Sequence, residues 1–149
     1  MESKTLINTK HYYKIKFSIL KTQHLLIKGK LNHIKASFIL DTGASNSCLG
    51  FNCIDKFNLQ AEYSATKAAG AGATNMETQI ANNSLLQLSY FKNSEMSWVL
   101  LDLSHVNFAL ASFKTKAVDG IIGADILIKH QAIIDYNSNY LYLKKPLKN

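Results

Sequence analysis

The chain has 149 residues, of which 47% are hydrophobic and 18% charged, so its composition fits one globular domain and excludes a disordered protein. Its net charge of +7 comes from 17 basic residues, all lysine, against 10 acidic ones. Despite this charge, nucleic acid is disfavoured as a main partner, because bidentate recognition of phosphates and guanines depends on arginine.

Strand patterns dominate the chain from Tyr12 onwards. Three closely spaced stretches rich in β-formers predict a β-meander that ends at Asp41: residues 12–20, 24–31 and 33–40. Small residues at 70–73 predict the tip of a hairpin over 64–81. Further strands are expected at 84–90, at 96–103, and as a pair over 132–144. Helical turns are expected at 52–59 and from residue 124, and residues 104–113 form either a short helix or a loop. We therefore expect an all-β (mostly β) protein with a single domain over 1–149 and a core over about 12–144.

The most informative stretch is F-I-L-D-T-G-A-S at 38–45, where an apolar strand leads directly into an acid and four small residues. The ordinary interpretation is that Asp41 caps a turn by accepting backbone N–H groups. Three features favour a functional role instead. The strand before Asp41 is wholly apolar, the following residues allow close backbone approach, and a second apolar-apolar-glycine element follows at 121–123.

Together these residues resemble the retropepsin-type aspartic proteases, the single-domain relatives of pepsin, and most closely the bacterial branch. The resemblance covers about 12–144 and is carried by D-T-G-A-S, by A-A-G-A-G-A-T at 68–74, by V-D-G-I-I-G-A-D-I-L at 118–127 and by the closing stretch 132–143. It implies a single-lobe acid-protease barrel with a flap hairpin and one or two short helices.

The resemblance implies an aspartic endopeptidase, which hydrolyses peptide or protein substrates with two aspartates that activate a water. This chain has one D-T-G. The other candidate acids, Asp102, Asp119, Asp125 and Asp135, lack the matching context. A second lobe would also need about twice this length, given the usual size of one domain. We therefore expect a homodimer in which each copy supplies one Asp41.

Residue roles follow from the same resemblance. Asp41 would be the catalytic acid and base, Thr42 would support the dyad across the dimer axis, and Gly43 would let the substrate backbone come close. Ile121, Ile122 and Gly123 would cross behind this loop. The flap and groove that bind substrate would comprise Gly70, Ala71, Gly72, Ala44, Ser45 and Ile122. No metal or organic cofactor is implied.

Two places depart from the retroviral pattern, which has acids after D-T-G-A that pair with an arginine after the second apolar-apolar-glycine. Here those places hold Ser45, Asn46 and Ala124, and the chain contains no arginine. We expect the salt bridge to be replaced by hydrogen bonds between Asp125 and Ser45 or nearby backbone. The substrate subsites and the strength of the dimer stay open.

A rival hypothesis keeps the fold without the chemistry: a catalytically inactive retropepsin-fold module for binding or dimerisation. The intact D-T-G favours activity.

Cys48 and Cys53 do not have zinc-site spacing and are expected to be reduced core residues. The sequence shows neither a membrane-spanning run nor a signal peptide, so we expect no membrane association and a cytoplasmic location, with an exported form left open.

Overall fold

A computed structural model of the chain describes residues 10–63 and 78–146. Within these ranges the strands are β1 (Tyr12–Lys16), β2 (Ser18–Ile19), β3 (Leu25–Leu31), β4 (Ile34–Leu40), β5 (Cys48–Gly50), β6 (Ala61–Tyr63), β7 (Gln79–Leu88), β8 (Phe91–Leu101), β9 (Gly120–Ile122), β10 (Ile133–Asp135) and β11 (Tyr140–Lys144). The helices are α1 (Cys53–Lys56), α2 (Ser104–Ser112) and α3 (Ala124–Lys129).

Six strands form a closed barrel in the order β3-β4-β9-β5-β8-β7, and the pairing of β7 with β3 closes it. The β4–β9 and β5–β8 pairs are parallel, whereas the other pairs in the ring are antiparallel. β2 extends the sheet beside β3, and β6 extends it beside β7. This architecture confirms the predicted mostly-β barrel.

The β3–β4 hairpin shows how the sequence specifies this barrel. Asn32 and His33 both have positive φ angles, 49° and 70°, as the two central residues of a type I′ hairpin turn require. Alternate residues of the flanking strands point into the barrel, where Phe38 stacks on Trp98 with ring centroids 5.4 Å apart. The Trp98 indole N–H donates to Ser84 Oγ, so its polar atom is satisfied inside the core.

A second, three-stranded sheet has the order β1-β11-β10. The single strand predicted over 12–20 is divided at Phe17, because β1 pairs with β11 whereas β2 pairs with β3. Phe17 is buried between the two strands, and its N–H donates to Asn139 O. The change of sheet at Phe17 joins the small sheet to the barrel.

Three short helices occur in the described ranges, where the sequence predicted one or two. Residues 104–113 contain helix α2 rather than a loop. Of the hairpin predicted over 64–81, residues 64–77 lie outside the described ranges. Where the described chain resumes, Gln79 of β7 pairs with Tyr63 of β6. Among the helices described, none is long and apolar enough to cross a membrane.

Candidate active site

Asp41 lies in the turn that directly follows β4. Its N–H donates to Ile122 O at 3.0 Å, which extends the β4–β9 ladder by one residue. Its carboxylate Oδ1 accepts the Gly43 N–H at 2.9 Å, and its carbonyl oxygen accepts the Ala44 N–H at 3.2 Å. These bonds hold the carboxylate in a tight turn that is exposed in the single chain.

The segment after β9 packs directly behind this turn. Ala124 N–H donates to Ala44 O at 2.7 Å. A β-carbon added to Gly123 would lie 2.6 Å from Ala44 O and 2.9 Å from two backbone atoms of Asn46. Because no side chain fits in this space, glycine at position 123 allows the two segments to touch through their backbones.

A partly buried hydrogen-bond network fixes the contact between the two segments. Asp125 Oδ1 accepts the Ser47 N–H at 3.0 Å, the Ser47 hydroxyl at 2.7 Å and the Ile126 N–H at 2.9 Å. Ser47 Oγ in turn accepts the Gly123 N–H at 2.9 Å. The expected replacement of the retroviral salt bridge therefore involves Ser47 and its backbone, whereas Ser45 is exposed.

The structure brings most of the predicted site residues in the described ranges into one loop. Asp41, Thr42, Gly43 and Ser45 are exposed there, and Ala44 is half-buried. Ile122 differs, since its side chain is 0% exposed and packs in the barrel core. Its predicted place in the substrate groove is therefore wrong for the side chain, because alternate residues of a strand face opposite sides.

The predicted flap tip, Gly70, Ala71 and Gly72, lies outside the described residues. Ile121, next to Ile122, faces the other side of the sheet. It packs with Ile39, Val118 and Leu110 of α2. Helix α2 therefore contacts the strand that leads into Asp41, a contact that the ambiguous pattern at 104–113 could not predict.

A depression of about 220 Å³ opens beside the acid. Its lining comprises Gln23, His24, Leu25, Leu40, Asp41, Thr42, Ile134 and Tyr136. Sequence reasoning did not find Gln23, His24 or Tyr136 as neighbours of the site. The register of the β3–β4 hairpin could have indicated that Gln23 and His24 lie near the site. They directly precede Leu25, which pairs with Leu40, the residue before Asp41.

A second missed feature is the ion pair between Lys56 Nζ and Asp119 Oδ1, which are 2.6 Å apart. Asp119 Oδ2 also accepts the Ser37 N–H at 2.9 Å. Asp119 thus joins α1 and β4 to the start of β9. This supporting role agrees with the exclusion of Asp119 as a catalytic acid. The sequence did not predict the ion pair, because its two residues lie 63 positions apart.

The two cysteines are free and buried, as expected. Burial raises the pKa of Cys48 to about 12, and the negative charges of Asp125 and Asp41 add to this effect. Burial also raises the pKa of Cys53 to about 11, and Asp119 adds to the effect while Lys56 and a hydrogen bond from Gly50 oppose it. In residues 10–63 and 78–146, no group of three or more His, Cys, Asp or Glu side chains could hold a metal ion.

Comparison with known proteins assigns the chain to a known family. The family model described as "Aspartyl protease" matches residues 27–126, which include both the Asp41 turn and the crossing segment. A search of curated proteins finds no match.

Three solved structures are similar to the chain. The retroviral protease-like domain of Ddi1 from Leishmania major has a TM-score of 0.58 at 18% identity, covering 83% of this chain and 90% of that one. A retropepsin-like aspartic protease from Rickettsia conorii has a TM-score of 0.56 at 17% identity, covering 89% of each chain. The EIAV protease, solved with the inhibitor HBY-793, has a TM-score of 0.57 at 18% identity, covering 77% of this chain and 95% of that one. The chain belongs to the aspartyl protease family and has the retropepsin fold.

Proposed function

We propose that the protein is a homodimeric aspartic endopeptidase in which Asp41 from each of two copies forms the catalytic dyad. The observation that carries the proposal is the Asp41 turn, where an exposed carboxylate is held by backbone hydrogen bonds. The Gly123 contact and the Asp125 network support this turn from behind.

The chemistry needs two carboxylates. Two such groups about 3 Å apart cannot both be ionised, so they share one proton. The ionised carboxylate removes a proton from a water as the water attacks the peptide carbonyl carbon. The protonated carboxyl group donates its proton to the carbonyl oxygen, which gives a tetrahedral diol. The carboxyl group that took the proton from water then donates it to the amide nitrogen, while the other carboxylate removes a proton from one hydroxyl of the diol. The C–N bond breaks, and an amine and a carboxylic acid are released.

A homodimer is the arrangement that supplies the second carboxylate. The sequence contains one D-T-G. Asp102 and Asp135 bind backbone in other turns, and Asp119 and Asp125 are engaged in the supporting contacts described above. Two-fold symmetry would bring two Asp41 turns together, with Thr42 beside the axis.

The test measures cleavage of an unfolded protein such as casein from acidic to neutral pH, at two enzyme concentrations. The matched variants are Asp41→Asn and Asp55→Asn, since both remove one exposed carboxylate and only the first lies in the turn. We expect Asp41→Asn to abolish cleavage and Asp55→Asn to retain it. Activity per chain should also fall on dilution, because the site needs two copies.

Two results would contradict the proposal. Cleavage by Asp41→Asn at the wild-type rate would exclude Asp41 as a catalytic group. No cleavage by a folded wild-type dimer at any pH would favour the inactive binding module.

A further inference from the structure

The outer face of the three-stranded sheet carries alternating lysine and tyrosine side chains. Lys14 lies opposite Tyr142, and Lys16 lies opposite Tyr140, in the β1–β11 register. The opposite face packs on the core through Ile15 and Leu141. On this lysine–tyrosine face Lys14 and Lys16 are exposed, whereas Tyr142 is 3% exposed, so the face is open to solvent on its β1 side.

A groove of about 500 Å³ runs along one edge of this face. Its lining comprises Lys14, Ile15, Lys16, Phe17, Ser18, Leu26, Lys28, Ser89 and Tyr140. Three of these residues are lysines and none is acidic. Because five consecutive residues line it, from Lys14 to Ser18, the backbone of the first strand itself borders the groove.

Two of the three lysines of the groove contact one aromatic ring. Lys14 Nζ lies 4.1 Å and Lys16 Nζ lies 5.8 Å from the centroid of the Tyr140 ring. Such cation–π contacts restrict where the ammonium groups can move. Asp135 lies opposite Tyr140 on the third strand, and its carboxylate accepts hydrogen bonds from Asn137 and Ser138 in the adjoining turn.

The edge of β1 can accept another strand. In the described residues β1 pairs with β11 alone, at one end of the sheet order. His11 O and Phe17 N–H bond the β11 side of the ladder, so odd-numbered residues direct their backbone groups to β11. Alternation in an antiparallel ladder then directs the N–H and C=O groups of Lys14 and Lys16 to the open edge.

We propose that this groove binds an extended acidic peptide segment, which adds as a strand to the edge of β1 and places its carboxylates against Lys14, Lys16 and Lys28. Main-chain hydrogen bonds provide affinity in strand addition, and alternate side chains provide specificity. Three ammonium groups without an acid in the lining select a negatively charged partner. This site is separate from Asp41 and does not depend on the proposed catalytic activity.

Charge and residue type argue against other occupants. A second copy of β1 would bring Lys14 and Lys16 against their own equivalents, and like charges directly opposite each other are unfavourable. Single-stranded nucleic acid needs free aromatic faces for stacking. Here the Tyr140 ring is covered by Lys14 Nζ, and Tyr142 is buried.

The test measures binding of a fluorescein-labelled decapeptide of alternating glutamate and glycine by fluorescence anisotropy, using full-length Asp41→Asn protein to prevent cleavage of the probe. Lys14→Glu/Lys16→Glu reverses two charges in the groove. Lys114→Glu/Lys116→Glu reverses two exposed charges outside it and is the matched control. We expect the groove variant to weaken binding by about tenfold or more and the control to change it less than about threefold. Both variants change the net charge by the same amount, so this difference would show that binding depends on the lysines of the groove.

Three further measurements make the test decisive. A peptide of the same sequence with alternate backbone nitrogens methylated should bind at least about tenfold more weakly, because strand addition uses those N–H groups. Lys28→Glu should also weaken binding and replaces the double variant if that variant fails to fold. Equal losses in groove and control variants, equal binding of the methylated peptide, or tighter groove-dependent binding of oligothymidine would each overturn the proposal.

Discussion

The Ser47 hydroxyl donates a 2.7 Å hydrogen bond to Asp125 Oδ1 and accepts the Gly123 N–H at 2.9 Å. One side chain thus joins the loop after Asp41 to the segment that crosses behind it. Because Ser47 is 1% exposed, water cannot replace either bond.

We expect Ser47→Ala to lower the free energy of unfolding by about 1–3 kcal/mol, because it leaves the buried Gly123 N–H without an acceptor. Urea unfolding followed by tryptophan fluorescence measures this change through Trp98. Ser45→Ala is the matched control, since Ser45 is exposed and its loss should stay within about 0.5 kcal/mol. Equal effects of the two variants would contradict the assigned network.

Two glycine substitutions should separate support from chemistry. Gly123→Ala forces a β-carbon to within 2.6 Å of Ala44 O, so we expect a loss of about 1–3 kcal/mol in unfolding free energy together with loss of cleavage. At Gly43 the nearest atom to an added β-carbon is Asp41 Oδ1, at 3.3 Å. Gly43→Ala should therefore reduce cleavage with a smaller loss of stability.

The comparison requires both measurements on both variants: urea unfolding and casein cleavage. A Gly43→Ala protein that is less stable than Gly123→Ala would contradict the packing argument. Full activity of Gly123→Ala would show that the turn does not depend on the crossing segment.

Stability should fall in alkaline solution because of the two thiols. Burial raises the pKa of Cys48 to about 12 and that of Cys53 to about 11 in the folded chain. An unfolded thiol has a pKa of roughly 8.5, so above that pH the unfolded chain loses protons that the folded chain retains. We expect the urea midpoint to fall as pH rises from about 8 towards 10, and the fall to be smaller in Cys48→Ala/Cys53→Ala.

The same burial predicts thiol reactivity. A disulfide reagent at mildly alkaline pH should label neither cysteine in the native protein and both in guanidinium chloride, since the thiolate is the nucleophile. Rapid labelling of the native protein would contradict the burial of Cys48 and Cys53.

His130 should contribute to acid sensitivity. Burial lowers the pKa of His130, and the neighbouring Lys129 charge adds to this effect. Its ring lies edge-on to Phe91 with centroids 4.9 Å apart, and Nε2 has no hydrogen-bond partner among the described residues. Below the ordinary histidine pKa of roughly 6.5, the unfolded chain binds a proton more readily than the folded chain. The free energy of unfolding therefore decreases as the pH is lowered.

We expect His130→Phe to reduce this loss of stability between about pH 7 and 5, because phenylalanine keeps the ring contact and cannot be protonated. Urea midpoints at both pH values measure the effect. An identical acid dependence in the wild type and the variant would contradict the role of His130.

The sequence predicted those elements whose pattern is local. Alternating apolar residues on either side of a turn near Asn32 were sufficient to predict the β3–β4 hairpin. β5 and β9 were not predicted as strands, because each has three residues and its pairing partners lie far away in the sequence.

The candidate site shows the same limit. The D-T-G turn was visible because its residues are consecutive. Lys56–Asp119 and Ser47–Asp125 each join residues more than 60 positions apart, and no local pattern encodes those pairings. Burial of Ile122 rather than Ile121 depends on the phase of a three-residue strand, which the sequence alone left undetermined.

Closure of the barrel also controls when the Asp41 turn can form. The parallel pairing of Phe38 with Gly120, and of Leu40 with Ile122, must exist before Ile122 O can accept the Asp41 N–H. Pairings between such distant residues form slowly, since long loops must close first. A chain still emerging from the ribosome carries Asp41 long before it contains Ile122, so the turn cannot take its supported geometry until synthesis has passed the crossing segment. The same topology that supports the acid thus delays its assembly.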